Sequence, residues 1–165
     1  MMNNRRKYTA LIMTALLSTL GLAIEGQSQD PGPMKKALEG SWRVTVRPGP
    51  NRPPFVPETI EALATYGASG GYVLTDSIEP ASGHGSWEFT GHGRFNATHE
   101  RFIFDPQHQL IAILHVRSKI TLNVNKDEYT TEELVEIREF PSGAVLFAYA
   151  GATSVGRRIR VEPIE

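Results

Sequence analysis

Residues 110–140 read LIAILHVRSKITLNVNKDEYTTEELVEIREF and contain two runs in which apolar and polar side chains alternate. In the first run, Leu114 and Val116 alternate with His115 and Arg117, and the same period of two continues to the end of the run. This period is typical of a β-strand that buries one face. Asn125 and Lys126 separate the two runs and suit a tight hairpin. The stretch therefore predicts two long antiparallel strands and sets which face of each points inward.

Similar runs recur along the rest of the chain, rich in valine, isoleucine, threonine and aromatic residues and separated by glycine, proline and asparagine. This punctuation is typical of an all-β protein. Eight strands are expected, at residues 42–47, 59–66, 70–77, 85–90, 94–104, 110–124, 128–140 and 145–161. Tight turns join most of them, and closing such a meander removes its exposed edges. We therefore predict an eight-stranded antiparallel up-and-down barrel.

The N-terminus has the organisation of an export signal. A basic segment at 5–7 precedes an uncharged apolar run at 8–24, and Gly26 and Ser28 provide the small residues that a signal peptidase recognises. A retained membrane anchor is the alternative, because the run is close to the shortest that spans a bilayer. Both readings predict a secreted or periplasmic domain. The expected organisation is a signal peptide at residues 1–28, a linker with a short helical turn at 29–39, and the barrel domain at 40–165.

Composition excludes several classes of function. The 17 Lys and Arg residues nearly cancel the 18 Asp and Glu residues, so no net positive field favours nucleic acid as a partner. The chain has no cysteine, which excludes disulfides, thiol nucleophiles and thiolate metal sites. The sequence shows no motif for a cofactor, and none is predicted.

The histidines suggest a metal site at first, because Gly-His-Gly occurs at both His84 and His92. These residues bracket one predicted strand, and eight residues at roughly 3.3 Å each place them about 26 Å apart. A single metal ion needs its ligands about 2 Å away. We therefore expect both histidines to be turn residues and predict no metal site.

Polar side chains on the inward faces of the predicted strands suggest a binding site. Pairing neighbouring strands brings polar groups and aromatic rings into the barrel at His99, Arg101, Tyr129, Glu133, Tyr149, Trp87 and Phe147. In the functional interpretation, Arg101 or His99 receives the polar head of a ligand, and Glu133 and Tyr149 orient it. In the alternative, Arg101 pairs with Glu133 and the tyrosines only fill space. A third alternative is a barrel enzyme that uses His99 or Glu133 as a general base. The sequence contains no nucleophile motif, so no catalytic residue is assigned.

An apolar stripe is expected on the outer surface of the fifth and sixth strands. Phe102 is predicted opposite Ile113, and Phe104 opposite Ile111. Such a stripe is typical of a homodimer interface. A slip of one residue in the turn at 105–109 would instead bury these side chains and expose His99 and Arg101.

Gly40-Ser41-Trp42 opens the first strand, and Arg157 lies in the last strand on the face predicted to point inward. In these features and in its strand order, the mature chain resembles the lipocalins and the wider calycin families. The resemblance implies that Arg157 packs on Trp42, and that the barrel is a cup for a small hydrophobic or amphipathic molecule. Barrels similar to these also include cyclases of unsaturated lipids, so the resemblance is compatible with an enzyme as well.

The chain departs from the orthodox lipocalin pattern. A second loop signature and a C-terminal helix are missing, and the usual disulfide is impossible without cysteine. The resemblance is therefore to a distant calycin-like barrel. Three functions follow as expectations: a binder of a small amphipathic molecule, an enzyme that cyclises or isomerises such a molecule, and a filled barrel that acts through its surface.

Overall fold

The computed structural model describes residues 32–79 and 81–164 and contains one closed barrel of eight antiparallel strands in chain order. The strands are β1 (Gly40–Arg47), β2 (Ile60–Tyr66), β3 (Gly71–Asp76), β4 (Gly83–Gly91), β5 (Arg94–Phe104), β6 (Leu110–Leu122), β7 (Glu128–Glu139) and β8 (Val145–Arg158). A helical turn, α1 (Gly32–Lys35), and a 3-10 turn (Lys36–Leu38) precede them. The predicted fold class is confirmed. The predicted signal peptide lies outside the described residues.

The hairpin between β6 and β7 forms where the sequence predicts it. Lys126 adopts the left-handed conformation with φ 60°. The side-chain oxygen of Asn123 accepts hydrogen bonds from the backbone N–H groups of Asp127 and Glu128 at 3.1 and 3.2 Å. The Asn123 side chain thus satisfies backbone N–H groups at the turn. On the inner face, Val116 lies opposite Val135, as the alternation predicts.

One end of the barrel is filled by side chains. Trp42, Leu38, Tyr129 and Phe95 are almost completely buried there. The Trp42 ring nitrogen donates a hydrogen bond to the Leu38 carbonyl oxygen at 3.0 Å, which ties the turn before β1 to the core. This filled half is called the closed end below.

Arg158 covers the closed end. Its guanidinium carbon lies 4.2 Å from the centre of the Trp42 ring, within range of a cation–π interaction. Its three nitrogen atoms donate hydrogen bonds to backbone carbonyl oxygens of Ala37 at 2.5 Å, Glu39 at 2.8 Å and Lys126 at 2.9 Å. A single side chain therefore connects the turn before β1 with the hairpin after β6.

The expected packing of Arg157 on Trp42 is wrong, and a β-bulge is the reason. Glu133 pairs with Ala152 and Leu134 pairs with Ala150, so Gly151 is an extra residue in β8. Gly151 has φ +86°, which glycine adopts without strain. The bulge reverses the facing of every later residue in β8. Arg157 points outward and pairs with Glu128 at 3.2 Å, and Arg158 takes the inward place.

Among the described residues, no helix is long and apolar enough to cross a membrane.

Candidate functional site

A cavity of about 200 Å³ occupies the half of the barrel away from the closed end. Its wall is mainly apolar, with small and branched side chains from six strands: Val44, Ala62, Leu74, Val116, Val135 and Ala152. The long β1–β2 loop lies at the mouth, where Phe55 and Val56 line the opening and Phe55 is 80% exposed. The barrel is thus only partly filled.

Of the seven predicted ligand contacts, five line the cavity: His99, Arg101, Tyr129, Glu133 and Tyr149. Their role in binding stays a prediction. Trp87 lies instead in the closed-end core, where its ring nitrogen donates to the Gly67 carbonyl oxygen at 3.1 Å. Phe147 is 37% exposed and packs beside Tyr149. Neither ring is among the described lining residues, because strand parity sets the facing of a side chain and not its depth along the barrel, and their role in binding also stays a prediction.

Arg101 forms a buried ion pair with Asp76 across the mouth side of the cavity. Both side chains are less than 10% exposed. Asp76 also accepts hydrogen bonds from the backbone N–H groups of Ile78 and Glu79 at 2.9 and 3.2 Å, so the turn after β3 holds the carboxylate in place. The alternative in which Arg101 pairs with Glu133 is wrong. Asp76 was missed, although it follows Tyr72 and Leu74 at a spacing of two residues.

His99 lies beside this pair as a neutral imidazole. It is 7% exposed, and its ring packs edge-on against Tyr72 with the ring centres 5.3 Å apart. Burial, followed by the nearby charge of Arg101, lowers the pKa of His99 to about 4. Its Nδ1 atom and the Nε atom of Arg101 are buried without a hydrogen-bond partner among the described residues. Unpaired buried nitrogen atoms are rare in folded proteins.

The neutral His99 predicts a loss of stability in mild acid. The folded-state pKa of about 4 lies below the usual 6.5, so the unfolded chain binds the proton more tightly. The free energy of unfolding should fall by roughly 3 kcal/mol between about pH 6.5 and pH 4 on account of this residue. Urea unfolding of the wild type and of His99→Gln across this range measures the difference. A wild-type curve parallel to that of His99→Gln would contradict the buried neutral state.

Glu133 lies on β7 inside the barrel, next to two hydroxyl groups. One of its oxygens, Oε1, accepts hydrogen bonds from Thr131 at 2.7 Å and from Ser154 at 3.0 Å. The other oxygen, Oε2, has no hydrogen-bond partner among the described residues. Burial raises the pKa of Glu133 above its usual value, and the two hydroxyl groups act in the opposite direction. Ser154 was missed because it lies after the bulge at Gly151.

Tyrosine rings form the floor of the cavity. Tyr66 stacks on Tyr72 with the ring centres 4.6 Å apart. The Tyr66 hydroxyl donates to the Tyr129 hydroxyl at 3.3 Å. Burial raises the pKa of all three phenols, so they remain neutral donors and acceptors at physiological pH. The floor is therefore polar only at its hydroxyl groups.

The two Gly-His-Gly motifs lie in different structural contexts, one in a turn and one in a strand. His92 is a turn residue with φ 52°, as predicted. His84 lies within β4 opposite Glu100, so its predicted place in a turn is wrong, because β4 begins earlier than expected. Across residues 32–79 and 81–164, no three histidine, aspartate or glutamate side chains lie close enough together to hold a metal ion.

The outer stripe on β5 and β6 is exposed. Phe102 lies opposite Ile113, and Phe102, Phe104 and Ile111 are between 39% and 53% exposed. The expected pairing of Phe104 with Ile111 is wrong, because a register shift pairs Phe104 with Leu110. The use of this stripe as a homodimer surface stays a prediction.

Comparison of the chain with protein-family models, with curated proteins and with solved structures finds no significant match.

Proposed function

We propose that this barrel is secreted or periplasmic and binds a small amphipathic molecule in its interior, as a distant calycin-like protein. The cavity carries the proposal. It combines an apolar wall with a few convergent polar groups, which is the usual composition of a ligand site. Its volume of about 200 Å³ is moderately larger than the engineered cavity of about 150 Å³ that accommodates benzene in another protein. A molecule with one ring or a short chain fits this space.

The calycin resemblance supports the same proposal in a corrected form. Trp42 opens β1 at the closed end, and Arg158, rather than Arg157, covers its ring. The closed end leaves the opposite half of the barrel free for a ligand. Because a fold alone does not define a function, the cavity remains the stronger argument.

Catalysis on such a molecule is the second candidate. Glu133 favours it, because it is a carboxyl group inside the cavity whose pKa is raised by burial, and such a group can act as a general acid or base. Incubation of the protein with its bound molecule, once identified by mass, separates the two functions. A binder releases the molecule unchanged, and an isomerase or cyclase releases a rearranged product.

Filling the cavity should abolish binding. We expect native mass spectrometry of the protein recovered from the extracytoplasmic fraction of its host to show a surplus mass that disappears on denaturation. Ala152→Leu adds a branched side chain to the cavity wall, where Ala152 is 1% exposed, and should remove the surplus. The same substitution at Ala150, which faces outward on the other side of the bulge, is the matched control. A surplus absent from the wild type, or kept by Ala152→Leu, would contradict binding in the interior.

A further inference from the structure

We infer that the polar group of the bound molecule is a protonated amine, and that Glu133 is the residue that receives it. This inference rests on the proposed binding function and names its ligand class. It follows from the hydrogen bonds of Glu133, from the balance of charge in the cavity and from the tyrosine side chains that line the same cavity.

The hydrogen bonds around Glu133 suit an ionised carboxylate with one oxygen available. The Thr131 hydroxyl oxygen accepts the backbone N–H of Ser154 at 2.8 Å and lies 2.7 Å from the Ser154 hydroxyl oxygen. Both hydroxyl oxygens lie within 3.0 Å of Oε1, so one hydroxyl group can donate to the other while the remaining hydrogen points at Oε1. An ionised carboxylate only accepts hydrogen bonds, and because both hydroxyl groups lie at Oε1, Oε2 is left as the acceptor for a ligand.

The charges that line the cavity leave Glu133 without a counter-ion. Arg101 is the only lysine or arginine among the described lining residues, and its charge is compensated by Asp76. Glu79 at the mouth adds a further carboxylate. A ligand carboxylate would meet Glu133 and Glu79, and the one cation of the lining, Arg101, is already paired with Asp76. A cation would instead neutralise Glu133, which otherwise bears the cost of desolvation alone.

Tyrosine side chains line the same cavity as the Glu133 carboxylate. The pKa values of Tyr72, Tyr129 and Tyr149 are raised chiefly by burial, and the negative charge of Glu133 contributes to each, which places it close to all three. The face of a tyrosine ring attracts a cation. An ammonium group at Oε2 is therefore favoured by the carboxylate, in a cavity whose tyrosine rings also attract a cation.

Three probes of nearly equal size test the charge. 2-Phenylethylamine, 2-phenylethanol and phenylacetate share one ring, which suits the volume of about 200 Å³, and differ in bearing a positive, a neutral and a negative group. Isothermal titration calorimetry at pH 7.5 should show the amine bound at least tenfold more tightly than the alcohol, and the carboxylate bound more weakly than both.

Glu133→Gln should remove this preference while keeping the shape of the site, so that amine and alcohol bind within about threefold of each other. Glu132→Gln is the matched control, because Glu132 is the neighbouring residue on the outer face of β7 and is exposed. An unchanged preference for the amine in Glu133→Gln would overturn the inference, as would tighter binding of the alcohol or of phenylacetate to the wild type.

A pH series on the wild type covers the case in which Glu133→Gln does not fold. The other titratable groups near Glu133 in the cavity are the phenols of Tyr72, Tyr129 and Tyr149, which stay protonated from pH 5 to 8, and His99, whose pKa of about 4 keeps it neutral over most of this range. Arg101 and Asp76 form their own ion pair, and the side chains of Thr131 and Ser154 are neutral, so the series is run from pH 5 to 8. Amine affinity, relative to that of the alcohol, should therefore fall as acid protonates Glu133. A constant ratio would overturn the inference.

These outcomes also separate the inference from the proposed function. Binding of the alcohol with no preference for the amine keeps the interior binding site and rejects the amine. Failure of all three probes, together with no surplus mass in the protein from its host, rejects both.

Discussion

Arg158→Ala should lower the free energy of unfolding by about 3 kcal/mol. The change removes three hydrogen bonds from a charged donor to backbone carbonyls and the contact with the face of Trp42. Hydrogen bonds to charged groups contribute about 1.5–3 kcal/mol each. The Arg158 side chain is half-buried, so water can hydrate the carbonyl groups that the substitution frees. The expected loss of stability is therefore smaller than the sum of three such bonds. Chemical denaturation measures the loss.

Arg157→Ala is the matched control for this prediction. The neighbouring arginine is well exposed and forms only a surface ion pair with Glu128 at 3.2 Å. Such pairs contribute about 0–1 kcal/mol. Equal losses in the two variants would mean that the covering of Trp42 by Arg158 does not stabilise the barrel.

Gly85→Ala should destabilise the barrel by about 3 kcal/mol or more. A Cβ atom at this position would overlap the carbonyl oxygen of Thr98 and lie 2.6 Å from the Cα atom of His99. Both obstacles are backbone atoms of β5, the adjacent strand, so a change of rotamer cannot relieve the clash. Thermal and urea unfolding should both show the loss, and the displacement of His99 should disturb the cavity as well.

Gly71→Ala provides the comparison for Gly85. Gly71 also lies in a strand, and the nearest atom to an added Cβ there is the Ser69 hydroxyl oxygen at 3.9 Å, an ordinary contact. We expect its stability to stay within about 0.5 kcal/mol of the wild type. A mild effect at Gly85 similar to that at Gly71 would show that β4 and β5 separate easily.

Strand alternation predicted the barrel well because one face of each strand is buried and the hairpins are short. The β6–β7 register, with Val116 opposite Val135, follows directly from the turn at Asn125 and Lys126. The same rule places Asp76 on the inner face, so the partner of Arg101 was available from the pattern of β3 and was overlooked.

The prediction of which side chains of β8 face inward fails after the bulge at Gly151. Around it, the sequence of β8 has small residues such as Ala150, Ala152 and Thr153, which suit either face of a sheet and leave no periodic signal. An extra residue is therefore invisible in the alternation. This one position explains why Ser154 was missed and why Arg157 was chosen in place of Arg158.

The chain enters and leaves the barrel on the same side. β1 begins at Gly40 and β8 ends at Arg158, and both positions lie at the closed end beside Trp42. The mouth of the cavity lies at the other end, where β1 continues into the loop that carries Phe55. A barrel tethered through either end, to a bilayer, a fusion partner or a sensor surface, therefore keeps its opening directed away from the attachment.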